Sequence, residues 1–446
     1  MEITRDALFD MTKKPSQLPP ARVFWGISTF QALAMFRRGL FYAFLSIYLR
    51  FFLGLSVTET TLFATLPMIF NIGAQTLIWG RLSDRKQLRR TLILWGEGCG
   101  AAGTVLIWAV HVMAPSPGLA GYAIIAGLTI VEVFWSMSNI GWSALISDLY
   151  PQKARNAKLG YLTSIGGAGR FIGIWIGGAF YDGFGKMYDG WGFHSGLLFF
   201  IPAAVMLISM LPVMMLPEGG VRLEETSEYN CNADCQAASI RLFWIFLVAM
   251  VFINFGRNGV VVIQSQYLFL DTGFGVSSRI LGHIFNVESL AIILFGLLAG
   301  RIGRWIGDGP SVCLGAIIAM IYLIIFGLTD DLRLIYAASF LRGVADVILM
   351  AASYAFASVL IPPERRGALF GLFNATLFLS WGVAGTLIAG PTVDVLLYLG
   401  TDPVSAYRAA FLSGLVMVVI GLAIQSWIVF VKMPATVLLR NEKGFQ

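Results

Sequence analysis

Long apolar runs separated by short polar turns dominate this chain. They cover approximately residues 23–49, 59–80, 91–113, 121–149, 160–181 and 194–216, then 240–270, 279–303, 311–329, 332–361, 367–399 and 406–431. Each is close to or longer than the ~20 residues that carry a helix across a ~30 Å hydrocarbon layer. The pattern predicts an all-α polytopic membrane protein with about twelve transmembrane helices. It divides into an N-terminal segment (1–22), a six-helix bundle (23–216), a polar linker (217–239), a second six-helix bundle (240–431) and a tail (432–446).

Composition agrees with this reading. Hydrophobic residues make up 57% of the chain and charged residues 13%, against about 25% charge in a soluble protein. Residues 1–22 are polar, with Lys13, Lys14 and three prolines, and do not resemble a cleaved signal peptide. Twenty-one of the 31 Lys and Arg residues fall on the side of the chain ends and five on the other. This bias predicts cytoplasmic termini in a cell membrane, the inner membrane if the source is bacterial. It also accounts for the net charge of +6 without nucleic acid. Cys99 and Cys313 lie in apolar runs, and Cys231 and Cys235 in the linker have no further ligands near them, so neither a metal nor a cofactor is expected.

Charge inside the runs changes the picture most. The first run carries Arg37 and Arg38 in its middle, where an arginine costs at least ~2.5–3.5 kcal/mol on insertion scales. Arg170, Arg257 and Arg342 lie inside other runs, as do Glu97, Glu132, Glu288 and Asp346. Arg38 comes about 15 residues into its run, ~22 Å of helix rise, and Arg257 is at similar depth. The two are also aligned by an internal repeat: RGLFYAFLSIYL from Arg38 matches RNGVVVIQSQYL from Arg257, with Arg, Ser, Tyr and Leu in register. A second match, LYPQKARNAKLGYL with LIPPERRGALFGLF, falls at the corresponding loop of each half, so the halves read as a duplication.

The loop GRLSDRKQLRR, from Gly80 to Arg90, is similar to the G-x-x-x-D-R-x-G-R-R loop of the major facilitator superfamily. Gly80, Asp84, Arg85 and Arg89 match, while Gln87 replaces a glycine and Leu88 a basic residue. The second-half copy, GRIGRWIG, has Arg304 in the acid's place. The run 160–181 contains GRFIGIWIGG, which resembles an element of drug–proton antiporters with Ile174 at its proline position; small residues at this spacing also let helices approach closely. The arginine motif of such antiporters is missing from span four, and something similar, LRGVADV, occurs in span ten. The resemblance implies two pseudo-symmetric bundles, alternating access, and a gating role for Gly80, Asp84, Arg85 and Arg89. It also implies that spans one and seven line the central cavity, where paired arginines resemble those of organic phosphate antiporters.

On that basis Arg38 and Arg257 are expected to clamp an anionic group, since a guanidinium presents a fork of donors at any working pH. Asn254, Asn258, Tyr42, Gln264 and Arg170 are further candidate substrate contacts, with Arg170 alternatively a partner of Glu132. Glu132, Glu288 and Asp346 are candidate proton carriers, because burial disfavours an ionised carboxyl. Arg342 and Asp346, one helical turn apart, are expected to pair with each other. Arg37 is rotated about 100° from Arg38 and is expected to be structural. Trp135, Trp142 and Tyr354 could stack on a substrate, or simply pack. The competing reading is that each arginine is neutralised by a buried acid for folding.

The function expected is secondary active transport of a small organic anion, coupled to protons or a counter-anion, with membrane lipids as the other partner. The alternatives are proton-coupled efflux of drugs or amphiphiles, including lipids, and a ligand sensor without flux. No nucleotide-binding loop appears, and His111, His194 and His283 are scattered, so neither an ATP-driven pump nor an enzyme is expected.

Overall fold

The computed structural model describes residues 20–149, 152–218, 233–361 and 366–432. α1 (Pro20–Ile47) ends in a π turn (Tyr48–Phe52), and α2 (Val57–Ala74) runs through a second π turn (Gln75–Trp79) into α3 (Gly80–Lys86). α4 (Arg89–Val112), α5 (Pro117–Leu149), α6 (Gln152–Tyr181), the short α7 (Trp191–His194) and α8 (Leu197–Met214) complete the first half. The second half begins with α9 (Ala233–Gly259) and α10 (Val261–Phe269), one span interrupted at Val260. α11 (Ser278–Gly296), the short α12 (Ala299–Ile306), α13 (Asp308–Leu328) and α14 (Leu332–Leu360) follow. A split span, α15 (Arg366–Ser380) with α16 (Gly390–Tyr398), precedes α17 (Pro403–Trp427).

Among the described residues ten helical segments are long and apolar enough to cross a membrane, and the α15/α16 pair is an eleventh. α6, with 30 residues, completes twelve; its mean hydropathy is low because it starts on the polar sequence QKARNAKLG and then carries Arg170 and a series of glycines. Three boundaries differ from expectation. α6 starts at Gln152, so the basic run before Gly160 is helical; α9 starts at Ala233 rather than 240; and span eleven is broken. Residues 219–232, with Cys231, lie outside the described residues, as do the side chains of Asp84 and Cys235.

The same packing scheme occurs twice. In the first half α1 packs on α6 and α8, α4 on α5 and α8, and α2 on α5; in the second α9 packs on α15 and α17, α13 on α14 and α17, and α11 on α14. The halves meet along α6 against α11 and along α2 against α15 and α16. Large apolar side chains such as Trp25, Leu106, Ile130 and Met214 are exposed on the outside, where lipid would cover them.

The glycines of α6 serve packing within the first half. A Cβ on Gly173 would sit 2.0 Å from the Phe36 carbonyl oxygen, and one on Gly169 2.2 Å from that of Ala32. α1 and α6 therefore touch backbone to backbone, as small residues allow in membranes. This accounts for the antiporter-like element without a transport role. At the other end of α8, Glu218 caps α4, accepting from the Thr91 backbone at 2.9 Å and from Arg90 Nε at 3.1 Å.

Gln87, where the superfamily loop has glycine, ends α3 in the left-handed region (φ 55°, ψ 30°). A side chain there costs about 1 kcal/mol that glycine avoids. Gln87→Gly is expected to stabilise the purified protein by at most about 0.5 kcal/mol once glycine's larger unfolded-state entropy is subtracted, read as a slightly higher thermal unfolding midpoint. Gln87→Val should lower it.

Candidate functional site

Nine Arg, Glu and Asp side chains lie well inside the spans among the described residues, and their partners sort them. Arg37 turns into the first half and meets Glu97 with both terminal nitrogens, the longer contact being 3.2 Å. Its guanidinium lies over Trp135, 4.6 Å from the ring centroid. Ser138 donates to Glu97 at 2.8 Å. Arg37 and Glu97 are both buried, so this cluster binds α1, α4 and α5 together. Trp135 is committed to it and is not available to stack on a substrate.

In the second half Arg257 pairs with Asp346, and its Nε donates to Asn254 Oδ1 at 3.1 Å. Arg342 donates to Gln264 Oε1 and lies 3.6 Å from Glu288. The expected Arg342–Asp346 pair is thus not formed: from successive turns of α14, Asp346 faces α9 while Arg342 faces α10 and α11. Arg170 reaches across from α6 to Glu288 at 3.0 Å, so its partner is not Glu132. Asn258 donates to Ser380 at 2.8 Å and points away from Arg257.

Arg38 and Glu132 remain. Arg38 is partly exposed and, among the described residues, has neither a hydrogen bond nor an ion pair. Glu132 is buried and accepts from Asn71 Nδ2 at 2.7 Å; Asn71 accepts in turn from Gln75 at 2.6 Å. Arg38 acts on both Glu132 and Tyr42 through space, and Tyr42 stacks on Phe63 with centroids 6.2 Å apart. Trp79 donates to the Val133 carbonyl at 2.9 Å, which pins the π turn of α2 beside Glu132. Such turns recur at functional sites. Asn71 was not singled out from the sequence, although an amide inside an apolar run, four residues before Gln75, is itself a signal.

The cleft between the halves is closed at the face away from the chain ends. There Ser46 donates to the Val262 carbonyl at 2.8 Å, and Gln266 donates to Ser46 and Thr60, both at 2.8 Å. Tyr407 donates to Gln266 at 2.8 Å, and Ser278 donates to the Gly178 carbonyl at 3.0 Å. On the terminal side of the charged layer, among the described residues, one hydrogen bond crosses, from Ser164 to the Ile293 carbonyl at 3.4 Å. Among the described residues the hydrogen bonds between the halves are thus concentrated at the distal face. Arg38, Arg170 (27% exposed) and Asp346 (22%) are the members of the charged layer that are only partly buried.

Of the loop residues, Gly80 opens α3 with space for a Cβ only 2.7 Å from the Gln75 carbonyl oxygen. Arg85 is exposed, and Arg89 is buried and donates to Ser83. Trp142 packs against an apolar cluster that includes Val23, Ile93 and Leu145. Tyr354 is 45% exposed and stacks on Phe370 at 5.1 Å.

Stability should separate the two adjacent arginines. Glu97→Gln removes the counter-charge of buried Arg37 and is expected to cost about 3–5 kcal/mol. Arg38→Gln, with no partner to strand, should change stability by less than about 0.5 kcal/mol. Thermal unfolding of both variants in the same detergent checks this.

The sequence model of the Major Facilitator Superfamily matches residues 27–386 and 246–445. A search of curated protein sequences returns no match. Among solved structures, the chain is similar to a bacterial homolog of the human lysosomal transporter Spinster in an inward-facing, unoccupied conformation. Identity is 16%, coverage is 92% of this chain and 97% of that one, and the TM-score is 0.66. It is likewise similar to the nucleoside transporter NupG (15% identity, 90% and 98% coverage, TM-score 0.66). A structure of the proton dependent oligopeptide transporters matches at 12% identity, 91% and 98% coverage and TM-score 0.67. At these identities the likeness shows the fold, and the family match, spanning most of the sequence, shows descent. This twelve-helix, multi-pass membrane protein belongs to the Major Facilitator Superfamily of transporters.

Proposed function

We propose that the protein is a secondary active transporter of a small organic anion, with Arg38 receiving the anionic group. One observation carries this reading: Arg38 is a partly exposed arginine in the middle of the first span whose side chain, among the described residues, has neither a hydrogen bond nor an ion pair. The other four intramembrane arginines each contact one of three acids, Glu97, Glu288 or Asp346, so Arg38 is the one of the five that, among the described residues, contacts no carboxylate. A phosphate or carboxylate matches its fork. In this conformation Arg257 is held by Asp346 and Asn254. It completes the expected clamp only if Asp346 releases it, which makes the second half the later-binding partner.

Glu132 supplies the coupling. Ionised, it offsets the field of Arg38; protonated, it leaves that field to the substrate, so proton and anion enter together. Glu288 and Asp346 are already engaged by arginines, so Glu132 is the candidate carrier with the fewest competing partners. The bias of basic residues supports cytoplasmic termini, and the hydrogen-bonded distal face is then the extracytoplasmic one. The units are read as bundles at 23–216 and 240–431 joined by a linker at 217–239, of which the start of α9 takes up residues 233–239.

A thermal-shift screen of purified protein against phosphates, carboxylates, sugars and lipophilic cations tests the substrate class. Anions are expected to stabilise the wild type, and Arg38→Gln to weaken that effect roughly 10- to 100-fold in concentration, as the loss of a charge-assisted contact predicts. Stabilisation by lipophilic cations alone, or an unchanged anion response in Arg38→Gln, overturns the proposal. In proteoliposomes, Glu132→Gln should retain anion binding but lose the dependence of uptake on an imposed pH gradient. A preserved dependence would place coupling elsewhere or point to counter-anion exchange.

A further inference from the structure

Span eleven is split, and its distal piece is fastened to the opposite half. α15 ends at Ser380, a turn and a π turn (Gly385–Ala389) follow, and the two pieces are bent by 43°. From α16, Asp394 faces the start of α2. Its Oδ1 accepts the Val57 N–H at 3.0 Å and its Oδ2 the Thr58 N–H at 2.7 Å. A helix leaves four such N–H groups unpaired at its start, and Ser56 already accepts a third, from Glu59, at 3.2 Å. The positive end of α2 is thus capped once by its own chain neighbour and once by a carboxylate from the other half, which the helix dipole favours. Along the same strip Thr386 Oγ1 lies 2.7 Å from Thr61 Oγ1 and 2.6 Å from Thr65 Oγ1. Gly382 is pressed so close to α2 that a Cβ would come within 2.4 Å of Thr65 Cα.

We propose that Asp394 is the latch of the distal gate, released each time that face opens, and that the break between Ser380 and Gly390 is the hinge on which α16 moves away. The chemistry suits a reversible contact. Asp394 is only partly buried, so on release water takes over both the carboxylate and the freed N–H groups, and neither is stranded. The hinge is also wired to the charged layer, since Ser380 at its edge accepts from Asn258, the residue after Arg257. A change at Arg257 therefore has a direct route to the latch. Nothing in this proposal depends on the substrate.

Spin labels on a cysteine-free background test it. One pair, at Lys186 and Arg333, reports the distal ends of the two halves; the other, at Arg81 and Arg301, reports the terminal ends; all four positions are exposed. Pulsed electron resonance distances in lipid nanodiscs are the readout. Asp394→Ala is expected to lower the ratio of distal-closed to distal-open protein about 5- to 30-fold, the range for losing a cap contact. The distal distances should lengthen while the terminal distances shorten. Asp394→Asn, which keeps one acceptor oxygen, should fall between wild type and alanine, and it carries the test if the alanine variant does not fold. Thr386→Val should shift the populations in the same direction. Unchanged distal distances in both Asp394 variants overturn the proposal. So does a broadening of both pairs without opposite shifts, which would mean that Asp394 only holds the fold together.

Discussion

A charge cannot be left alone in hydrocarbon, and this constraint organises the molecule from the centre outward. Breaking a buried ion pair costs several kcal/mol because the remaining charge has no solvent to retreat to. Arg37 with Glu97, and Arg257 with Asp346, therefore act as rivets, each joining helices within one half. Such rivets let each half move as a unit. They also define by exclusion where a ligand can matter, because an arginine already neutralised gains little from an anion. Arg38 is left with its charge uncommitted, at a depth where that is tolerable only beside a wet cleft.

The duplication that places Arg38 and Arg257 at equivalent positions did not preserve their surroundings. One turn before Arg257 stands Asn254, which fixes the guanidinium through Nε; the equivalent position before Arg38 is Met35, which accepts no such bond. Opposite Arg257 a carboxylate has come within contact distance, whereas Glu132 remains at a through-space distance from Arg38 and is held by Asn71 instead. Symmetry of fold with asymmetry of charge is what a transporter needs if one half is to bind first and the other to respond.

The apolar runs contained most of the fold, because span length and spacing depend only on hydropathy, which is local. They missed features set by neighbours. α6 begins earlier than its hydropathy suggests because its polar first turns are still helical. Span eleven breaks where Gly382 must press against α2, a demand made by the other half. The charged residues of the site were all visible, being costly and rare inside apolar runs. Their pairing was not. Spacing placed Arg342 and Asp346 on one face of one helix, but each found a better-placed partner on an adjoining helix. The distal seal was the least legible part, because Ser46, Thr60, Gln266 and Thr386 are ordinary residues whose importance comes from what the other half brings opposite them.

The way the halves are joined explains how two such rigid bodies can separate. Across the distal face they are held by hydroxyls, amides, the Asp394 carboxylate on backbone N–H groups and the Asp182 carboxylate on the Ser278 hydroxyl, all of which water can replace at small cost. Among the described residues one ion pair crosses the interface, Arg170 to Glu288. Its geometry avoids the usual penalty, because Glu288 also faces Arg342 from its own half at 3.6 Å. When Arg170 withdraws, the carboxylate keeps a counter-charge, and Arg170, already 27% exposed, withdraws toward the wet side of the cleft. The expensive pairs thus stay within the halves and the replaceable ones lie between them, so the two arrangements of the halves can remain within the few kcal/mol that a ligand or a proton is able to bias.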